Sequence, residues 1–572
     1  TLNNIGLIYH YRGEYEKALK LCKEAKKIFE EIQDPIGLLK SCYNIWEILK
    51  DDKSYEDLIN AHDLVRERAS TIPASIETLK LKELDIFLIR RDIAEEHIDL
   101  SKVVEHYVTI GDLKKAYGAH LRNKNLVSIE LLRFSDFKGF KSLKGNERVV
   151  DLVTTKNKFG FFYRNKFYNL KLDLLDIEHF FDETLKRSIE NFLKTKFRYV
   201  FLQNYLEEIR KSRIKSEEIK VCANLVLNKK EVKIIVTASV RDKEYKKEVI
   251  NLNLEHLIHK LFFLNLCVES LITDERHIQR YGLFNEFRLQ ELLRSFKDEK
   301  YEKIKEFECE NIVKESQKIE EKLYSILEFI GEVFEPIYSI DTPELTVVPS
   351  QPLLNFPFHL LIFDKKFLFE SFEVRFLPHA EFANSLDRNF SGSYDVIACI
   401  SDFGLYFTKP EAEYVFKILN QNKKVLLENP RLKDLMKYRG DIRILHLSTH
   451  AYVDPSNLFN SYIELGEKIR FPDFMKISPK GFVFLSACET GVQEPHRRES
   501  LSLQTAILSS GAKAILVSLW KVFDPAGFVF AKEFYRACKG EPSYEAYRKA
   551  IDNTRKVFPN VQHFAPYVWF GV

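Results

Sequence analysis

The sequence predicts a multidomain fold. Stacked α-helical hairpins occupy residues 1–140, a mixed α/β connecting region residues 141–340, and an α/β domain with a mostly parallel sheet and flanking helices residues 341–572. Three observations predict it: the first part repeats, the second turns to aromatic and β-branched runs, and beyond Glu344 short apolar runs alternate with amphipathic segments. A chain of 572 residues also exceeds what one core can serve. At about 150 residues per domain it holds three or so.

The repeats have a period near 40: Asn4-Ile5, Tyr15-Glu16 and Ala18 return as Asn44-Ile45, Tyr55-Glu56 and Leu58. Gly6, Ala18, Cys22 and Ala25 supply the small positions that let two antiparallel helices approach closely, and Arg12-Gly13-Glu14 is a helix stop followed by a new start. A further pair is expected between Leu79 and Tyr117, with its turn at Gly111-Asp112-Leu113. These residues resemble the longer-period members of the tetratricopeptide repeat family. Because the sequence opens at Thr1 inside a repeat, further repeats are expected ahead of it. Stacked helical hairpins expose extended surfaces, which implies a docking site for a regulatory protein partner.

In the connecting region, Cys222–Leu227 and Val232–Val240 read as a hairpin near 220–252, with Lys246–Leu252 as a third strand. Leu257–Ile272 and Ile312–Val333 have helical period. Lys and Glu runs such as Lys297–Lys305 read as solvated helix faces, and no chemistry is visible here.

The chemistry lies in the third part. Its expected strands are Leu345–Val348, Phe372–Phe376, Val396–Ile400, Lys424–Leu427, Ile442–Leu447, Phe482–Ser486 and Ala514–Leu519. The expected helices are Glu411–Leu419, Arg431–Tyr438, Leu501–Ser510, Ala526–Ala537 and Tyr544–Val557. Parallel strands present their functional side chains beyond their carboxyl ends. Two of these strands lead directly into a reactive residue: I-L-H-L-S-T-H ends on His450, and F-V-F-L-S-A-C reaches Cys488. Only a thiolate attacks a carbonyl well, and an ordinary thiol with pKa of about 8.5 is mostly protonated at neutral pH. An imidazole beside it removes that proton and later protonates the departing amine. The oxyanion then needs donors, for which the backbone N–H groups of Ala451 and Cys488 are placed after strand ends. Either residue alone has a bland reading, the cysteine as a small hydrophobe and the histidine as a hydrogen-bonded surface group. His446 shares a face with His450 deeper in its strand and reads as structural. Glu499 reads as a first-turn charge of the helix through Leu501–Ser510, or as a residue shaping a mobile loop from Val492 to Glu499.

Charge and composition exclude several classes. The 87 Lys and Arg against 84 Asp and Glu leave a formal charge of +3, so nucleic acid is expected to meet this chain only indirectly, through a protein. Eight cysteines without a C-x-x-C pair argue against a zinc site and a disulfide frame, so no metal and no cofactor is expected. No apolar run approaches the roughly 18 residues of a membrane span, which implies no membrane and a cytoplasmic protein.

The segments Thr449–Ser461, Leu485–Gly491 and Gly511–Asp524, with the upstream V-V-P-S-Q-P-L-L-N-F-P-F-H-L-L and the terminal Ala565–Phe570, resemble the CHAT domain, a caspase-like and separase-like peptidase domain. The resemblance spans roughly the last 230 residues and implies a His450–Cys488 dyad cleaving a protein substrate. Two departures from caspases stand out. Ala451 replaces their glycine, and Glu489-Thr490-Gly491 follows the cysteine in place of Arg-Gly, which removes any claim of aspartate specificity. Separases resemble this chain over Ser518–Asp524 and associate that aspartate with a basic residue before the cut. Asp524 therefore has two readings, a substrate-binding carboxylate for Lys or Arg and an N-cap for the helix opening at Pro525. CHAT proteases that follow tetratricopeptide repeats imply prokaryotic defence, including one joined to an RNA-guided CRISPR effector. The rival functions are a non-catalytic adaptor with a caspase-like binding platform, and an acyl or thioester transferase using the same dyad.

Overall fold

The computed structural model describes residues 2–76, 99–124, 148–155, 158–164, 166–170, 219–228, 231–240, 243–252, 321, 324–350, 353–380, 382–385, 389–400, 405, 407–420, 423–453, 461–487, 490, 494–496, 499–520 and 522–572. Four helices open the chain: α1 (Leu2–Tyr11), α2 (Tyr15–Glu31), α3 (Pro35–Leu49) and α4 (Asp52–Ile76). Ala18, Cys22 and Ala25 form the buried stripe of α2. Gly6 sits where an added Cβ would come within 2.7 Å of the Cys22 sulfur, so only glycine lets α1 and α2 close at this point. Asp34 starts α3 by accepting the Ile36 and Gly37 amides, with Pro35 in the first turn. The expected third pair contains α5 (Ser101–Ile110) and α6 (Leu113–Lys124), joined through Gly111 at φ +85°. The expected start of that pair, from Leu79, lies outside the described residues, as do Leu257–Ile272 and Lys297–Lys305.

The connecting region contributes β1 (Val149–Thr154), β2 (Phe159–Tyr163) and β3 (Lys166–Asn169), followed by a separate antiparallel sheet of β4 (Ile219–Asn228), β5 (Glu231–Val240) and β6 (Lys243–Leu252). The hairpin and its third strand thus form as their alternating β-branched residues imply.

From residue 344 onward come β7 (Glu344–Val348), β8 (Glu373–Phe376), β9 (Tyr394–Cys399), α7 (Thr408–Ile418), β10 (Lys424–Glu428) and β11 (Ile442–Ser448). They are followed by β12 (His450–Tyr452), β13 (Tyr462–Glu464), β14 (Lys468–Arg470), β15 (Phe482–Ser486), β16 (Glu494–His496) and β17 (Glu499–Leu501). The last elements are α8 (Leu503–Ser509), β18 (Ala514–Ser518), α9 (Asp524–Ala537), α10 (Tyr544–Val557) and β19 (Tyr567–Gly571). Eleven strands make one sheet in the order β10-β9-β11-β15-β18-β19-β8-β7-β1-β2-β3. Strands β11, β15, β18 and β19 are buried along their whole length because helices cover both faces, which explains their unbroken apolar runs.

The sheet has two parallel blocks of opposite sense. Strands β10, β9, β11, β15 and β18 run together, and β19 pairs antiparallel with β18. Strands β8, β7 and β1 then follow the direction of β19. The carboxyl ends of β11, β15 and β18 therefore lie on the opposite sheet edge from those of β7 and β1.

The N-terminal helices dock on the far end of this sheet. Val153 and Phe162 share a core with Trp46, Tyr107 and Ala116. Lys124 on α6 reaches Asp151 on β1 at 2.6 Å and the Pro349 carbonyl at 3.4 Å, and His120 lies 3.1 Å from the same Asp151 oxygen. All three side chains are buried. Burial alone would raise the Asp151 carboxyl, but the Lys124 ammonium and His120 outweigh it and hold the group below the usual carboxylate range.

Three local expectations are corrected. Arg431–Tyr438 is not one helix: Leu432–Leu435 is a single α-turn that tightens into a 3₁₀ turn over Met436–Tyr438. Glu499 does not open a helix, because it pairs with His496 across the β16–β17 hairpin and Ser502 caps α8 by accepting the Thr505 amide. Glu494–His496, expected within a loop, is the other arm of that hairpin.

Candidate active site

Parallel pairing aligns the two strands that carry the expected dyad. Ile444 pairs with Phe482 and the register runs through to Ser448 opposite Ser486, so β11 and β15 end at the same level. Beyond them the Thr449 amide donates to the Ser486 carbonyl at 3.0 Å, which extends the contact by one more residue. The chain then turns out of the large sheet. His450 does not continue β11; it opens β12, the edge of a small antiparallel sheet in the order β12-β13-β14, and the Thr449 hydroxyl pins the turn by donating to the Glu464 carbonyl.

Register and burial fix which way the small sheet faces. Ile463 and Ile469 are buried, and Ala451 pairs with Ile463, so this column packs inward. By alternation His450, Glu464 and Lys468 lie on the outer face, beside a second column of Tyr452, Tyr462 and Arg470. The Tyr452 and Tyr462 rings stack 5.4 Å apart, and the Lys468 ammonium lies 4.4 Å from the Tyr462 ring centre. His450 is half-buried on that face, next to a strand edge along which every second amide points away from β13.

His446 is fully buried four residues earlier. Its Nδ1 lies 3.3 Å from the Tyr535 hydroxyl and its Nε2 3.0 Å from Glu411 Oε1, a close contact that lacks hydrogen-bond alignment. Phe484 meets the ring edge-on at 5.1 Å. These partners tie β11 to α7 and α9, in keeping with a packing role.

Cys488 and Glu489 lie outside the described residues, but their neighbours are placed. Ala487 and Thr490 are both buried. The Ser518 hydroxyl, from the end of β18, donates to the Ala487 carbonyl at 2.6 Å, and the Ser518 amide donates to Thr490 Oγ1 at 3.1 Å. Ser486 Oγ and the Tyr567 hydroxyl stand 3.1 Å apart beside them. Sequence reasoning assigned no role to Ser486, Ala487, Thr490, Ser518 or Tyr567. The available signal was a hydroxyl residue at or just beyond each of three neighbouring strand ends.

Asp524 is the first residue of α9, half-buried, and its Oδ2 accepts the Phe407 amide at 3.0 Å. It does not cap its own helix: Phe523 holds the N-cap position and supplies no side-chain bond. Cys22, Cys42, Cys399 and Cys538 are reduced and buried. Burial pushes the first three thiols up to about 11 and raises Cys538 as well, which makes all four poor nucleophiles at neutral pH. Among the described residues no group of three or more His, Cys, Asp or Glu is placed to hold a metal ion, and no helix is long and apolar enough to cross a membrane.

The described part of this region is thus a largely parallel sheet with helices on both faces, with His450 just beyond the carboxyl end of β11. Residues 321–572 match the family described as CHAT domain. No curated protein matches the chain by sequence. Among solved structures, the Saccharomyces cerevisiae separase–securin complex is similar at 12% identity and a TM-score of 0.39, over 98% of this chain and 37% of that one. A complex of Porphyromonas gingivalis RgpB pro- and mature domains is similar at 10% identity and a TM-score of 0.32, over 43% of this chain and 68% of that one. The Arg-specific cysteine proteinase gingipain R is similar at 10% identity and a TM-score of 0.31, over 43% and 66%. This chain thus spans little more than a third of the separase chain it matches.

Proposed function

We propose that this chain is a cysteine endopeptidase that cleaves a protein substrate with His450 as base and Cys488 as nucleophile. One observation carries the reading: the shared register places Ser448 opposite Ser486, and each reactive residue follows its serine by two positions. His450 takes the thiol proton, the sulfur attacks the scissile carbonyl, and the amides of Ala451 and Cys488 stabilise the oxyanion. Collapse of the tetrahedral species breaks the C–N bond as the imidazolium protonates the leaving amine. Water, deprotonated by His450, then attacks the thioester and restores the thiol. Asp524, whose Oδ2 accepts the Phe407 amide, pairs with a Lys or Arg side chain before the cut.

The α1–α6 region is a tetratricopeptide-type surface on which a protein partner gates the site. Its exposed Ile5, Ile8 and Tyr11 support docking. The setting is cytoplasmic prokaryotic defence, with the partner a CRISPR effector that itself carries the RNA.

Proteomic cleavage mapping with the wild type and Cys488→Ala, with and without the effector, tests the reading and reports the residue before the cut. New termini that need Cys488 support it. Identical termini from both proteins would leave the adaptor reading.

A further inference from the structure

Ser518 is fully buried and makes its two bonds into the stretch that follows β15. The backbone ladder between β15 and β18 ends at Phe484 opposite Leu516, although the strands run on to Ser486 and Ser518. Past that point hydroxyl groups replace the ladder. Ser518 Oγ holds the Ala487 carbonyl, Ser518 N–H is satisfied by Thr490 Oγ1, and Thr490 Oγ1 lies 3.5 Å from the same Ala487 carbonyl. Ala487 and Thr490 bracket Cys488-Glu489 in the sequence, so one residue of the neighbouring strand grips both sides of a two-residue span.

We propose that Ser518 and Thr490 are positioning residues for the proposed nucleophile, acting through the bonds that fix Ala487 and Thr490 on either side of Cys488 in the sequence; this rests on the peptidase reading above. Two features make them suited to it. Both side chains are fully buried, so their bonds compete little with water. Ser518 also begins the Ser518–Asp524 segment, so the candidate substrate carboxylate follows in sequence from the residue that bonds to Ala487 and Thr490. A nucleophile displaced by about 1 Å loses on the order of 100-fold in rate, which is the scale on which such an anchor acts.

Thr490→Val keeps the shape and removes the oxygen that satisfies the Ser518 amide, whereas Thr490→Ser keeps the oxygen. Ser518→Ala removes the donor to Ala487. Two readouts apply: the pH profile of Cys488 alkylation by iodoacetamide, resolved by peptide mass spectrometry, and kcat and KM on a mapped cleavage peptide. Thr490→Val and Ser518→Ala are expected to shift the alkylation profile and lower kcat about 10- to 100-fold with KM within about twofold. Thr490→Ser should track the wild type. Ser509→Ala, which deletes a buried hydroxyl bond to Thr505 at 2.7 Å within α8, controls for stability alone and should leave both readouts unchanged. Wild-type alkylation and turnover in folded Thr490→Val and Ser518→Ala would overturn the inference, as would Thr490→Ser failing as badly as Thr490→Val. If the wild type cleaves nothing while the variants still shift alkylation, the peptidase reading fails and the positioning role stands.

Discussion

Replacing Lys124 with methionine leaves Asp151 as a buried charge without its principal counter-ion. Asp151 is 1% and Lys124 7% exposed, so water does not substitute for either partner. At 2.6 Å and an effective dielectric of about 20, the pair attracts by roughly 6 kcal/mol, much of it offset by desolvation of the two ions. Removing one partner forfeits the attraction and keeps the other ion's desolvation, a net cost of about 3–5 kcal/mol. Among the described residues Asp151 Oδ2 has no hydrogen-bond partner, and His120, 3.1 Å from Oδ1, is placed to compensate. Burial lowers the His120 pKa first of all; Asp151 raises it and Lys124 lowers it further. Deleting Lys124 therefore makes His120 easier to protonate, and the deficit should shrink as pH falls from 8 towards 6. Urea unfolding followed by circular dichroism measures the loss, and Asp151→Leu with the double variant completes the cycle. The double variant should cost less than Lys124→Met alone. A loss under about 1 kcal/mol with additive effects would refute the claim that this ion pair fastens the helices to the sheet.

His359 is fully buried, its Nε2 3.2 Å from the Ala565 carbonyl, and burial lowers its pKa to about 4. The unfolded chain protonates near 6.5 and so binds more protons in between. About 3 kcal/mol of stability, fully present above pH 6.5, should therefore drain away as pH falls to 4. Urea midpoints of the wild type against His359→Gln measure this, and parallel losses in both would count against it. Asp524→Asn keeps an oxygen for the Phe407 amide and removes the charge. On the proposed specificity, kcat/KM for Lys or Arg peptides should drop about 10- to 100-fold while neutral peptides stay within about twofold, and equal losses would reject the pocket role. Iodoacetamide at pH 7 should label Cys488 well before Cys22, Cys42, Cys399 and Cys538; labelling of Cys488 no faster than Cys538 would remove the activated thiol.

Short-range patterns were legible both where burial on two faces gives an unbroken apolar run, as in Phe482–Ser486, and where one buried face gives a helical period, as in Tyr544–Val557. Phe482–Ser486 and Tyr544–Val557 have the bounds their residues imply, and β7, β9, β10, β11 and β18 agree to within two residues. Pairing between distant strands was not legible. Nothing in Val149–Thr154 announces that it lies beside β7 and extends the third part's sheet, because that depends on a partner almost 200 positions away. The reversal at β18–β19 is hidden for the same reason. His450 also looked like the last residue of its strand. Its departure into β12 depends on Thr449 reaching the Glu464 carbonyl, a contact that periodicity does not encode. The hydroxyl cluster around Thr490 and Ser518 escaped notice because serine and threonine after a strand are ordinary turn residues until their neighbours are known.

The place of β19 has a consequence for biosynthesis. It is the latest-made of the eleven strands, yet it sits between β18 and β8 as the joint of two five-stranded halves. A ribosome extruding this chain releases both halves before the piece that unites them. Until Tyr567–Gly571 emerges, Ser486 lacks the Tyr567 hydroxyl and the β18 edge has no β19 to pair with, an edge open to mispairing. The carboxyl edge that carries His450 is therefore complete only after the joining strand is in place.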